Sequence, residues 1–176
     1  MSVTVLYGSR YGSTKKNAME LAKKLHTAYY SYEEDYPKED QATVVYLGGL
    51  YAGGVLGLKR TLPQITDTYK RLIIVTVGLA DPQNDENIRD ISASLERQVS
   101  KETLDKCTVF HLRGGIDYGK LSFKHRTMMR LLYEKTKKLP ARKQTPEVKA
   151  MIETYGGQVD FVDLGTLDKI IDAVAP

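Results

Sequence analysis

The chain of 176 residues has no tryptophan, one cysteine, three phenylalanines and three histidines. The single Cys107 cannot close an internal disulfide, and its apolar surroundings read as an inert core thiol suited to a reducing cytosol. His26, His111 and His125 are scattered without metal-ligand spacing and read as structural. No Ser-His-Asp arrangement is legible either. No run of about 18 apolar residues occurs, so no transmembrane helix is expected. The first residues, Met1-Ser2-Val3-Thr4-Val5-Leu6, enter a strand pattern at once and lack a charged leader, so no signal peptide is expected. There is no internal repeat and no low-complexity tract. A cytoplasmic protein of one domain over 1–176, long enough to bury its own core, is the expectation.

What is present is unevenly placed. The net charge is +4, yet residues 113–143 carry ten Lys or Arg against Asp117 and Glu134. That segment is +8, which leaves −4 over the rest of the chain. A basic stretch of this kind calls for its own explanation. Charge alone would allow nucleic acid, but no matching fold motif accompanies it, and no nucleic-acid partner is expected.

Along the chain, strand and helix patterns alternate. Strands are predicted over 3–7, weakly over 28–32, and over 43–47, 72–77 and 108–112. The third is expected to end at Gly48-Gly49. The fourth, Leu72-Ile73-Ile74-Val75-Thr76-Val77, is apolar almost throughout, as parallel strands covered on both faces are. Helices are predicted over 13–25, where Ala18, Leu21, Ala22 and Leu25 recur at helical spacing, over 56–64, and over 85–99 with Asp85 as cap. Further helices are expected over 121–138, 147–155 and 167–174. Five strands alternating with helices imply a parallel sheet of right-handed βαβ units. The loops after the first, third, fourth and fifth strands should then gather on one edge, where such sheets bind ligands.

The first of these loops carries the chemistry. Ser9-Arg10-Tyr11-Gly12-Ser13-Thr14 lies between a strand and a helix. Amide groups at a helix N-terminus lack intrahelical acceptors, and the helix dipole adds positive potential, a combination that holds phosphate. Gly12 lets the backbone approach the anion, and three hydroxyls add donors. The same residues also suit a hydroxyl-rich turn with Ser13 as a simple cap. The pattern is neither a Walker loop nor G-x-G-x-x-G.

This loop after the first strand, followed by this alternation, resembles the flavodoxin family. The likeness covers nearly the whole chain. It implies a flavodoxin-like α/β three-layer sandwich, with a five-stranded parallel sheet in the order 2-1-3-4-5 and a basic helical insertion after strand 5, about 114–155. It also implies FMN, with its phosphate wrapped by Ser9, Arg10, Tyr11, Gly12, Ser13 and Thr14. Two further loops, Leu50-Tyr51-Ala52-Gly53 and Gly78-Leu79-Ala80-Asp81, would hold the ring. Tyr51 is the candidate for packing on its face. Backbone N–H and C=O groups near Gly53 and Gly78 would bond its N and O edge.

The stretches Val44-Val45-Tyr46-Leu47-Gly48-Gly49-Leu50-Tyr51-Ala52-Gly53 and Phe110-His111-Leu112-Arg113-Gly114-Gly115-Ile116-Asp117-Tyr118, with the basic, Met-rich helix after the fifth strand and the closing Gly156-Gly157-Gln158-Val159-Asp160-Phe161-Val162-Asp163-Leu164, are similar to the menaquinone-dependent protoporphyrinogen dehydrogenase branch. That likeness implies an FMN-dependent oxidoreductase that oxidises a tetrapyrrole and passes electrons to a quinone or a redox partner protein. No catalytic side chain and no metal is nominated. The alternatives are an electron-carrier flavodoxin without a substrate of its own, which the +8 segment disfavours, and a domain of this fold that has lost its flavin. The helix over 121–138, with Leu121, Met128, Met129, Leu132 and Tyr133 on one face, reads either as packed on the domain with a solvated basic outside, or as a segment that borders the flavin and recruits a quinone, a carboxylated tetrapyrrole or, as a peripheral contact through about 120–143, the inner face of a membrane.

Overall fold

A computed structural model describes residues 2–38, 42–51, 53–65 and 69–175. The elements in chain order are β1 (Val3–Gly8), α1 (Ser13–Lys24), β2 (Tyr29–Ser31), β3 (Ala42–Tyr51), β4 (Gly54–Val55), α2 (Leu58–Ile65), β5 (Tyr69–Gly78), α3 (Asp85–Glu96), α4 (Lys101–Lys106), β6 (Thr108–Arg113), β7 (Gly115–Asp117), α5 (Phe123–Thr136), α6 (Pro146–Thr154), β8 (Gln158–Asp160) and α7 (Asp168–Val174). The five main strands run parallel in the spatial order β2-β1-β3-β5-β6. This is the flavodoxin-like order expected from the sequence. The order reverses between β1 and β3, so their carboxyl ends open a crevice.

Successive strand residues face opposite layers. Val5, Val45, Ile73 and Val75 pack under α1 and α7 through Ala18, Leu21, Ile170 and Val174. Leu6, Val44, Tyr46, Leu72 and Ile74 pack under α2 and α3 through Leu58, Leu62, Ile91 and Leu95. A third, smaller cluster joins Leu79 and Ile116 to Leu121 and Met129 of the basic segment and to Met151 of α6.

The structure departs from the sequence reading in four places. First, β3 does not end at Gly48-Gly49 but runs through both to Tyr51 and turns back as β4. The glycines admit that return: a Cβ on Gly48 would lie 2.1 Å from Val55 Cγ1, and one on Gly8 would lie 2.2 Å from the Leu56 carbonyl oxygen. Second, the cap of α3 is Asn84, whose side chain accepts the Glu86 N–H at 2.8 Å from an extended backbone; Asp85 is the first helical residue. Third, α3 stops at Glu96, and a separate short helix, α4, follows with Ser100 as its cap. Fourth, the stretch after β6 is not merely a loop. It forms β7, which pairs antiparallel with β8 as a second sheet, Ile116 opposite Val159.

Candidate functional site

Four loops meet at the crevice, and they enclose a cavity of about 470 Å³. At its first wall, α1 begins at Ser13 behind Gly12, whose φ of 95° is in the left-handed region that favours glycine. No side chain caps this helix, and its first internal bond is from the Lys16 N–H to the Gly12 carbonyl. Among the described residues, the N–H groups of Ser13, Thr14 and Lys15 therefore have no acceptor. The Ser9 hydroxyl accepts the Gly12 N–H at 3.1 Å and folds the turn. Thr14 is buried, with its Oγ1 3.1 Å from where a Cβ on Gly49 would stand. Ser13 Oγ would be 2.8 Å from a Cβ on Gly114. Two glycines on neighbouring loops thus make room for the two hydroxyls.

The second wall is aromatic. Tyr11 and Tyr51 meet edge to face at 6.5 Å, and the Arg10 guanidinium lies 5.2 Å from the centre of the Tyr51 ring. Their phenols reach into α5, Tyr11 donating to Met129 Sδ at 2.8 Å and Tyr51 to Met128 Sδ at 2.9 Å. Burial, with the phenols of Tyr51 and Tyr118 nearby, pushes Tyr11 far above the ordinary phenol range. Burial and the adjacent Tyr155 push Tyr118 up to about 12. Both stay neutral at physiological pH. The hairpin that carries Tyr51 is fastened to α3: Ser94 Oγ donates to the Gly53 carbonyl at 2.6 Å, and Gln98 Oε1 accepts the Val55 N–H at 3.1 Å.

The third wall is the turn after β5. Here Leu79 and Ala80 present their N–H groups to the Glu147 carboxylate of α6, at 2.8 and 3.1 Å from Leu79 and 2.9 Å from Ala80. From the other side Arg113 donates to the Leu79 carbonyl at 2.9 and 3.2 Å while lying over the Phe161 ring at 3.8 Å. Burial pushes the Glu147 carboxyl up, and the two N–H groups and Arg113 oppose that shift.

Of the residues singled out from sequence, Arg10, Tyr11, Ser13, Thr14, Leu50, Tyr51, Gly53, Gly78, Leu79 and Ala80 line this cavity. Gly12 lines a smaller cavity of about 360 Å³ on the far side of the first loop, with Lys16, Lys120 and His125. Ser9 and Asp81 line neither; Asp81 instead accepts the Gln83 N–H and, through its carbonyl, the Asn87 amide. Ala52 lies outside the described residues.

The sequence reading named Met129 and Leu132 only as an apolar helix face and missed Glu147, Val148 and Met151; together they form the wall contributed by α5 and α6. For Glu147 the only local signal is Thr145-Pro146-Glu147, which marks the start of a helix but not the loop it will touch. Among the described residues no group of three His, Cys, Asp or Glu is placed to hold a metal.

A family model described as Flavodoxin domain matches residues 4–143. Among solved structures, two single-cysteine variants of a flavodoxin from Pseudomonas aeruginosa, one to Ala and one to Ser, are similar at 15% and 16% identity. Each alignment covers 74% of this chain and 93% of the other, with a TM-score of 0.39. No curated protein matches the chain by sequence.

Proposed function

The chain belongs to the flavodoxin domain family, and from that premise we infer that it is an FMN-dependent oxidoreductase acting on a planar, anionic substrate, with protoporphyrinogen as the first candidate and a quinone as acceptor. FMN is the cofactor that this membership assigns. The donor set fits its phosphate: three unpaired first-turn N–H groups, a left-handed Gly12, and two hydroxyls let in by Gly49 and Gly114. The Tyr11 and Tyr51 rings suit a flat partner.

The observation that carries the enzyme reading over a plain electron carrier is the added wall. The basic segment does not stand apart from the crevice: with the adjoining α6 it closes one side of it, through Met129 and Leu132 of α5 and Val148 and Met151 of α6. A carrier that meets only protein partners needs no such chamber. Arg10, Arg97 and Lys135 rim the cavity, and their charges suit carboxylate tails. Bound FMN supplies the two-electron chemistry. The protein binds and orients: Tyr11 holds its phenol proton, and the apolar wall keeps water from the reacting faces.

The outward face of α5 favours a bilayer as the place where quinone is met. Phe123 is 86% exposed and Leu131 is 67% exposed, with Lys124 and Arg130 of the same helix also on the outside. No described helix is long and apolar enough to cross a membrane. The deciding experiment measures protoporphyrinogen oxidation by the purified protein with and without added menaquinone. Quinone-dependent turnover, lost in a Ser13→Ala/Thr14→Ala variant that also loses the flavin absorbance band, supports the reading. A yellow protein that a flavodoxin reductase reduces, with no such turnover, leaves the electron carrier.

A further inference from the structure

Leu79 and Ala80 line the same cavity as Ser13 and Thr14 of the phosphate cradle, on the loop expected to hold the ring, and their N–H groups already have an acceptor. That acceptor comes from 67 residues further along the chain. Gly78 makes the contact feasible, since a Cβ there would stand 2.8 Å from Glu147 Oε2. Both carboxylate oxygens are engaged, so Glu147 presents to this turn the same pair of acceptor atoms that the carbonyl edge of a flavin would. Arg113 fixes the turn from behind through the Leu79 carbonyl, so the donors keep their aim whichever acceptor they meet.

The element that carries Glu147 is suited to moving. The nine-residue α6 buries one side chain fully, Met151, rests Val148, Ala150 and Ile152 half-buried against the same cluster, and is entered through a mostly exposed stretch at 141–145. An element with few buried apolar contacts belongs to the low-stability end of a fold.

We propose that Glu147 is a built-in competitor for the FMN ring: its carboxylate occupies the Leu79 and Ala80 N–H groups, and α6 releases them when the ring edge takes its place. The inference rests on the FMN reading above and adds a regulated step to it. Any signal that pulls α6 away, such as a substrate or surface engaging the adjoining basic segment, would then favour flavin loading. A ligand can shift such an equilibrium only by its differential affinity for the two arrangements, and here that difference is the pair of N–H bonds.

The test uses the full chain with FMN alone. Amide hydrogen exchange is followed at 79–80 and across 146–154, and FMN affinity is measured by quenching of flavin fluorescence for wild type, Glu147→Gln and Glu147→Ala. The proposal expects FMN to speed exchange across 146–154 while 79–80 remain protected. It expects Glu147→Ala to bind FMN about tenfold more tightly than wild type, with Glu147→Gln between them, because a charge-assisted pair of bonds no longer competes. Slower exchange across 146–154 on FMN addition, or equal affinity in the three proteins, overturns the proposal and leaves the FMN reading standing. Failure of all three to take up FMN overturns both. The Gln variant keeps the shape of the side chain, so a loss of folding in the Ala variant alone does not decide the matter.

Discussion

A methyl group at Gly114 would act differently from one at Gly12, although both glycines border the phosphate cradle. At Gly12 nothing lies within 4 Å of a new Cβ, and the cost of alanine is the left-handed backbone alone, about 1–2 kcal/mol. At Gly114 φ is not in the left-handed region, but the new Cβ would stand 2.8 Å from Ser13 Oγ and 2.9 Å from Val77 Cγ1, so Ser13 and the Val77 side chain must both give way. Gly114→Ala is therefore expected to weaken FMN by about tenfold, some 1.4 kcal/mol, with little loss of thermal stability. Gly12→Ala should lower the unfolding temperature as well as the affinity. Fluorescence titration beside thermal unfolding checks both.

His111 offers a pH test at the same scale. Its Nδ1 lies 2.7 Å from the hydroxyl of buried Thr76, and burial lowers its pKa from the ordinary histidine value. A lowered folded-state pKa means that the unfolded chain binds the proton better. His111 thus contributes stability that is present above about pH 6.5, the unfolded value, and lost as pH falls through the folded one. Glu147 has the opposite sign. Its raised pKa gives stability that is present below about pH 4.3 and lost as pH rises through the folded value. Urea midpoints between pH 4 and 8 should show an acid-side loss that His111→Gln removes and a shallower alkaline-side loss that Glu147→Gln removes. At this scale the cradle was legible, because Gly12-Ser13-Thr14 announces itself by a local helix start. Gly114 and Glu147 were not, because their roles exist only once distant loops meet.

Among the elements, the caps of α3 and α5 carry comparable weight in different settings. Asn84 accepts the Glu86 N–H at 2.8 Å, and Ser122 accepts the His125 N–H at 3.3 Å. Either residue changed to alanine should cost about 1 kcal/mol of stability in urea unfolding. The consequences diverge, because α3 holds the Tyr51 hairpin through Ser94 and Gln98, whereas α5 closes the cavity through Met129. Asn84→Ala should leave the tyrosine wall intact if only the end of the helix frays. Ser122→Ala frays the end next to His125, which packs on Tyr11 at 6.2 Å, so its flavin fluorescence quenching should fall more than its stability does.

The long elements were readable from spacing: Ala18, Leu21 and Ala22 on α1, and the nearly continuous apolar run at 72–77 of β5. The short ones were not. β7 and β8 are three residues each and pair across more than 40 residues of chain, so neither has a local pattern strong enough to stand out. Gly48-Gly49 misled because glycine within a strand can mark a close backbone approach as well as an end.

For the molecule as a whole, alternation implied a parallel sheet, the family resemblance implied its order, and the charge split marked the basic segment as a candidate to border the flavin, but none of these told which side chains would seat it against the crevice. That depends on Leu121, Met129 and Met151 finding Leu79 and Ile116, a nonlocal fit that periodicity does not encode. The same fit leaves α5 with two faces of different use. Met129 and Thr136 turn inward and are buried, while Phe123 and Leu131 stand in solvent among lysines and arginines. Exposed apolar groups contribute nothing to the core, so Phe123→Ser/Leu131→Ser should leave the unfolding temperature and FMN affinity unchanged. On vesicles containing anionic lipid the two groups would enter the headgroup boundary, with surrounding cations adding about 1 kcal/mol each near the surface. Flotation should therefore recover the wild-type protein with anionic vesicles and not with neutral ones, and the double variant should be recovered less with the anionic vesicles. Charge alone would bring both proteins up equally, and that result would remove the apolar pair from the account while leaving the cavity and its flavin chemistry untouched.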